Sequence, residues 1–345
     1  MDRTTKVSAV GVAMTVALFR GAGAVPATGQ STQPLAPFRS APVTSLIEQL
    51  ASPVPEARTL VACALRERRA AAAPAIPSLI ALLEDDAPVH PDVCTDRDGR
   101  LGGGAHERER TPTSPGRESA RALASIGAAA FDPLLGALER SRPVGRRNAA
   151  FALGALDDRR AVTALLSHVR DADAGVREHV AWALGALDDA RAVEGLIGLL
   201  GDAVAPVRSN AAWALGALDD ARATEPLGRL STDADPAVRR QATWAQGAIG
   251  DPRAVPALVV ALRDSQPGVR RQAAWALGAV DDARGVEPLV QTLDDAQGEV
   301  REQAAWALGV IGDARATLVL TSALRDADSH VRRQAAWAPG HVGGQ

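Results

Sequence analysis

Tyrosine is absent from this 345-residue sequence, phenylalanine occurs four times, and one lysine, Lys6, stands against 37 arginines. Aromatic and β-branched residues favour strands, so their scarcity beside abundant alanine and leucine points to an all-α chain. Neither charge is in excess: the formal net charge of −3 gives no general pull toward nucleic acid or an anionic membrane surface. Only two cysteines occur, Cys63 and Cys94, too few to set a disulfide framework. Cys63 lies in a helical pattern, where a buried thiol is the commoner state, and pairing with Cys94 stays open. No nucleophile elbow, phosphate-binding loop or zinc-type spacing is present, so no catalytic residue, metal or cofactor is expected.

A long hydrophobic run is missing as well. The apolar stretch Val7–Phe19 is too short to span a bilayer as a permanent helix. It follows Arg3 and Lys6 and precedes the small residues Gly21–Ala27, so residues 1–27 read as a secretory signal peptide. The mature chain is then expected to be exported, periplasmic or extracellular, with no membrane attachment after cleavage; without a working leader it would be cytoplasmic. Residues 28–42 read as a flexible Pro/Ser/Thr-rich linker.

What the sequence does contain is a repeat. Trp182, Trp213, Trp244, Trp275, Trp306 and Trp337 are all of its tryptophans, spaced 31 residues apart, and Phe151 takes the same place one copy earlier. Arg146, Arg177, Arg208, Arg239, Arg270, Arg301 and Arg332 keep that spacing, and from Arg177 onward each follows an aspartate by six residues (Asp171 to Asp326). A fixed period in this range is the signature of a solenoid. Each unit holds two helical patterns. Val286, Leu289, Val290 and Leu293 mark a first helix, and Val300, Ala304, Ala307, Leu308 and Ile311 mark a second. Asp-Asp or Gly-Asp pairs between units should end one helix and cap the next. The glycine three residues after each tryptophan suggests close approach of a neighbouring backbone.

The stretch DPAVRRQATWAQGAIGD, Asp235–Asp251, resembles the HEAT repeat, specifically the phycobilisome-lyase-type HEAT-like repeats. The resemblance extends over about residues 43–338, strongest from Arg146 onward, and implies an α-solenoid: a right-handed superhelix of about nine stacked helix pairs. A polar, Gly-rich insert at 87–116 interrupts it. The insert offers His90, Asp92, Cys94, Asp96, Asp98, His106 and Glu107, but no zinc or calcium-loop spacing fits. The Asp and Arg ladder is expected to be structural, holding register along the stack.

On a helical wheel Trp306 falls ~150° from the centre of its helix's own apolar stripe. In HEAT proteins the second helix lines the concave side, so the resemblance implies a row of indoles along an inner groove. Arg240, Arg271, Asn210, Gln241 and Gln272 lie beside that row. Two readings stand: the indoles grip a ligand while the amides pair with its backbone, or the rings lie flat over the small residues of the adjacent repeat. Armadillo-type nuclear-import receptors use a Trp/Asn ladder in the first way.

Enzymes exist on this fold. Deoxyhypusine hydroxylase is similar in its HEAT repeats but holds two irons with His-Glu pairs just after the repeat arginine. The matching positions here run from Arg147-Asn148 through Glu178-His179 to Arg333-Gln334, and none is His-Glu. Chromophore-lyase activity remains as the alternative that the family's name implies. The reading that best fits is a non-catalytic scaffold binding a protein or extended peptide, with Trp182, Trp213, Trp244, Trp275, Trp306, Arg240, Arg271, Gln241, Gln272 and Asn210 as binding residues. At the C-terminus Pro339 replaces the usual Leu and residues 339–345 form a short tail, leaving the last repeat poorly covered and suited to self-association.

Overall fold

The computed structural model describes residues 35–94 and 112–338. The leader and most of the linker lie outside these residues, as do Asp96, Asp98, His106 and Glu107 of the insert and the tail from Pro339. Among the described residues the chain is helical apart from one isolated antiparallel bridge, Val89 to Thr113. It falls into two compact units, divided after Ile126.

The first unit contains α1 (Ala36–Ser40), α2 (Val43–Gln49), α3 (Pro55–Arg68), α4 (Ile76–Leu82) and α5 (Pro115–Ile126). Helices α3 and α5 lie side by side around buried Leu60, Leu65, Leu79 and Leu123. The insert is fastened to this core at both ends. Val89 and Val93 are buried, and Cys94 is joined to Cys63 of α3 by a disulfide, with Cα atoms 6.0 Å apart. Cys63 is thus half of a cross-link, where sequence alone favoured a buried thiol. A Glu118 oxygen lies 3.4 Å from the Cys63 sulfur. Buried Glu118 is claimed on several sides, accepting hydrogen bonds from Thr113 Oγ1 (2.9 Å), Arg66 Nη1 (3.0 Å) and Arg121 Nη1.

The second unit is a run of seven helix pairs: α6/α7 (Phe131–Arg140, Pro143–Ala155), α8/α9 (Val162–Ser167, Ala174–Ala186), α10/α11 (Val193–Leu199, Ala205–Ala217), α12/α13 (Thr224–Gly228, Pro236–Ile249), α14/α15 (Val255–Ala261, Pro267–Val280), α16/α17 (Val286–Thr292, Gly298–Ile311) and α18/α19 (Thr317–Ala323, Ser329–Trp337). In the pair α16/α17 the apolar stripes meet as their spacing predicts, with Val286, Leu289, Val300, Ala304 and Leu308 all buried. Neither short helix would hold its shape alone; packing of these stripes against neighbours supplies the stability.

Turn chemistry sets the boundaries between pairs. The second helices end on residues in the left-handed region, Asp157, Asp188, Asp219, Gly250, Asp281 and Gly312. The following aspartate (Asp158, Asp189, Asp220, Asp251, Asp282 or Asp313) accepts from the backbone N–H two residues on and starts a 3₁₀ turn that leads into the next first helix. An Asp at the left-handed position costs more than a Gly there, and its short polar side chain is what makes it tolerable.

Successive second helices run against one another along their length, whereas successive first helices approach far less. The second helices therefore form one continuous face of this unit, the face that the HEAT resemblance makes the inner one.

Candidate peptide-binding face

Backbone spacing on the inner face is set by glycine. A Cβ at Gly185 would meet Ala214 Cα at 2.7 Å and Trp213 Cζ3 at 3.0 Å, both in the next repeat. Gly154, Gly216, Gly247, Gly278 and Gly309 make the same approach to the following Ala and aromatic residue. Each indole therefore seats its six-membered ring edge on the glycine of the preceding repeat. Phe151 adds a stacked contact with Trp182, ring centroids 5.0 Å apart.

This seating does not enclose the rings. Trp182, Trp213, Trp244, Trp275 and Trp306 are all half-buried, and Trp337 is 40% exposed. The packing reading of the tryptophans is therefore met in part: one edge packs between repeats and the ring stays partly exposed.

The polar residues beside the indoles divide into two groups. Arg240 and Arg271 are exposed, and Gln241 and Gln272 are half-buried. Arg271 Nη1 donates to Glu299 Oε2 at 3.3 Å. Asn210 departs from the expectation that its amide faces a ligand backbone. It is 2% exposed, and its Nδ2 donates to the Glu178 carbonyl of the preceding repeat at 3.3 Å. The amide sits at the helix interface, where a buried N–H needs a partner. Asn148 and His179 at the same register are buried too. Gln241 and Gln272 are less covered as residues, though the Gln241 Nε2 is itself buried without a hydrogen-bond partner among the described residues.

Two arginine ladders hold the face in register. In the first, Arg146, Arg177, Arg208, Arg239, Arg270 and Arg301 each donate Nε and Nη2 to the aspartate 25 residues later, Asp171 to Asp326, at 2.5–3.0 Å. From Arg177 to Arg301 the remaining Nη1 donates to the carbonyl of the aspartate six residues earlier, at 2.7–2.9 Å. Asp202, Asp233, Asp264 and Asp295 are thus each gripped by two arginines, one on the carboxylate and one on the carbonyl, in an unbroken chain of bidentate bonds. The hydrogen bond from Arg177 holds the Asp202 carboxyl below its ordinary range, against the opposing effect of burial.

The second ladder runs through the turns between pairs, and sequence reasoning took its aspartates only for caps. Arg191 closes a fork on Asp189 two residues earlier, Nη2 to Oδ2 2.6 Å, and the same Nη2 reaches the Arg159 carbonyl of the preceding turn at 3.1 Å. Arg222, Arg253, Arg284 and Arg315 repeat this, each bonding a carbonyl 32 residues back at 2.8–3.3 Å. The hydrogen bonds from Arg191 lower Asp189 to about 2. The signal was legible as Asp-x-Arg recurring in the 31-residue register from Asp158 to Arg315.

Comparison with known proteins gives a consistent placement. Among curated proteins none matches this sequence. Similar solved structures include an engineered protein (24% identity, TM-score 0.51, covering 89% of this chain and 93% of that one). YibA of E. coli is similar at 21% identity and TM-score 0.52, over 65% of this chain and 86% of that one. Importin beta is similar at 15% identity and TM-score 0.61, over 85% of this chain and 46% of its own. At these identities the likeness is one of fold. The family model for HEAT repeats matches in overlapping copies at residues 131–216, 162–245, 193–278, 224–300 and 286–345. With most of the chain matched and the helix pairs stacked as described, this chain belongs to the HEAT-repeat family.

Proposed function

We propose that the protein is a non-catalytic scaffold whose inner face binds an extended segment of another protein. The carrying observation is the row of half-buried indoles in one register, Trp182 to Trp306, flanked by exposed Arg240 and Arg271 and half-buried Gln241 and Gln272. Large rigid aromatic surface with adjacent amides suits an extended chain, since side chains can settle on the rings while amides pair with peptide groups. Helices pack ~8–10 Å apart, which about three residues of extended ligand would span. Selection of a displayed peptide library on the full chain tests this. Binders should shift indole emission and lose affinity in a Gln241→Ala, Gln272→Ala variant; a library that yields no binder, or binders that leave emission unchanged, overturns it.

Two finer proposals accompany this one. Self-association through the last described repeat is supported by Leu318 of α18, 83% exposed, with Leu324 just after that helix exposed as well. A Leu318→Glu variant that sediments as the wild type at every concentration would remove it. Export is supported by the Cys63–Cys94 disulfide, a bond that persists in oxidising compartments. Recovery of the chain from its native host with the leader intact and both thiols alkylatable would refute export.

A further inference from the structure

Resting on that reading, we infer that the ligand is acidic, with two carboxylates about three residues apart seated on Arg240 and Arg271. The reason lies in which cations on the inner face are already used. Arg271 pairs with Glu299, which sits 28 residues later at the start of the next second helix. On the same spacing Glu302 faces His330 at 3.9 Å. For Arg240 the corresponding position is Gly268, where an added Cβ would meet open space. Among the described residues Arg240 has no hydrogen-bond or ion-pair partner. The Arg271–Glu299 pair is exposed on both sides, 52% and 79%, so a ligand carboxylate can displace Glu299 at little cost.

These two arginines are adjacent in the stack, and each lies one turn before a half-buried indole, Trp244 and Trp275. Equivalent positions on either side carry Ser209 and Glu302, with Glu178 one repeat further. The cationic stretch is therefore two repeats wide, bounded by Ser209 on one side and Glu302 on the other. An extended chain with an acid-x-x-acid core and an apolar side chain between the acids satisfies both guanidiniums and one indole. An acid placed one repeat beyond that core would meet Ser209 or Glu302 in place of a guanidinium and gain no affinity.

Fluorescein-labelled twelve-residue peptides test this on the full chain. One carries two Glu three residues apart with Leu between, and two controls carry Gln or Lys in their place. The Glu peptide should bind about three- to tenfold tighter than the Gln peptide, with the advantage shrinking as salt is raised. An Arg240→Glu, Arg271→Glu variant should reverse the order and favour the Lys peptide. Gly268→Glu gives Arg240 an internal partner at a helix N-terminus, where an acid is well tolerated, and should weaken the Glu peptide while leaving the Gln peptide unchanged. Equal affinity for all three peptides, each shifting indole emission, would overturn the acidic assignment and leave the inner face as a binding site. No peptide binding at all would remove both.

Discussion

The two units reach stability by different routes. In the second unit each repeat is tied to its neighbour by a bidentate Arg–Asp pair and a glycine that lets helices close up, and from Arg191 to Arg315 by a turn arginine on the preceding carbonyl as well. Among its described residues the first unit has two pairs of comparable kind, Arg39 to Glu67 at 2.8 Å and Arg58 Nε to Asp85 at 2.7 Å, and adds a disulfide and a buried carboxylate held by two arginines. Where repetition lets many small interactions recur, none is indispensable; where sequence departs from the repeat, one covalent bond does the joining.

The comparison is broken most sharply at a glycine. Gly216→Val would drive a branched side chain into Ala245 Cα, 2.7 Å from the Cβ position, and into the Trp244 ring. Backbone cannot yield as a flexible side chain does, so a loss of about 3 kcal/mol or more is expected from overpacking. Unfolding followed by indole emission reports on the second unit alone, because every tryptophan lies there. A midpoint unchanged from wild type would show that the glycines are incidental.

Next comes the disulfide. Cys63→Ser with Cys94→Ser should cost the first unit about 2–4 kcal/mol, since the closed loop of 31 residues is no longer restrained when unfolded. Indole-monitored unfolding should not move, while protease cleavage within α3 to α5 should accelerate. Equal shifts in both readouts would show that the two units unfold as one.

Arg208→Ala tests the ladder with a smaller effect. Its partner Asp233 is mostly buried, and burial, the largest single influence, pushes that carboxyl up; the hydrogen bonds from Arg208, the Asp235 backbone N–H and the charges of Arg208 and Arg239 together outweigh it and keep Asp233 below its ordinary value. A lowered folded-state value means stability that is complete above the unfolded-state value near 3.8 and lost as pH falls through the folded one. Without Arg208, burial dominates and Asp233 takes up its proton at higher pH. The variant should lose about 2 kcal/mol at neutral pH and begin acid unfolding at a higher pH than wild type. An unshifted acid midpoint would mean the ladder carries no weight.

How much of this could be read from sequence follows from its periodicity. The 31-residue register exposed the solenoid, the helix stripes, the first ladder and the close approach at glycine, because each recurs in phase. The ring positions were half legible: the wheel placed Trp306 off its own helix's stripe, but only the structure shows an edge seated on Gly278 with the ring partly exposed. Asn210 misled because a recurring amide in the pattern does not show whether the adjacent repeat covers it, and here its Nδ2 donates to the Glu178 carbonyl of the preceding repeat. The Cys63–Cys94 pairing was illegible because it joins a helix to a non-repeating insert, where phase carries no information.

The smallest effect belongs to a break within the regular unit itself. Leu153, Leu184, Leu215, Leu277 and Leu308 fill one register of the second helices, each buried. In α13 that place holds Gln246, 2% exposed, whose Nε2 has no hydrogen-bond partner among the described residues. Its neighbourhood is correspondingly irregular. The first helix of that pair, α12, is only five residues long and passes into a 3₁₀ turn at Arg229. Gly228 leaves room there, with the Gln246 Nε2 lying 3.4 Å from where a Cβ would stand. A buried amide left unpaired costs about 1–3 kcal/mol, and leucine has nearly the same volume. Gln246→Leu should therefore stabilise the second unit by about 1 kcal/mol, raising its indole-monitored midpoint with no change in the first. If the variant is instead less stable, the amide is satisfied by solvent within the core, and the break in the repeat is a hydrated site rather than a packing fault.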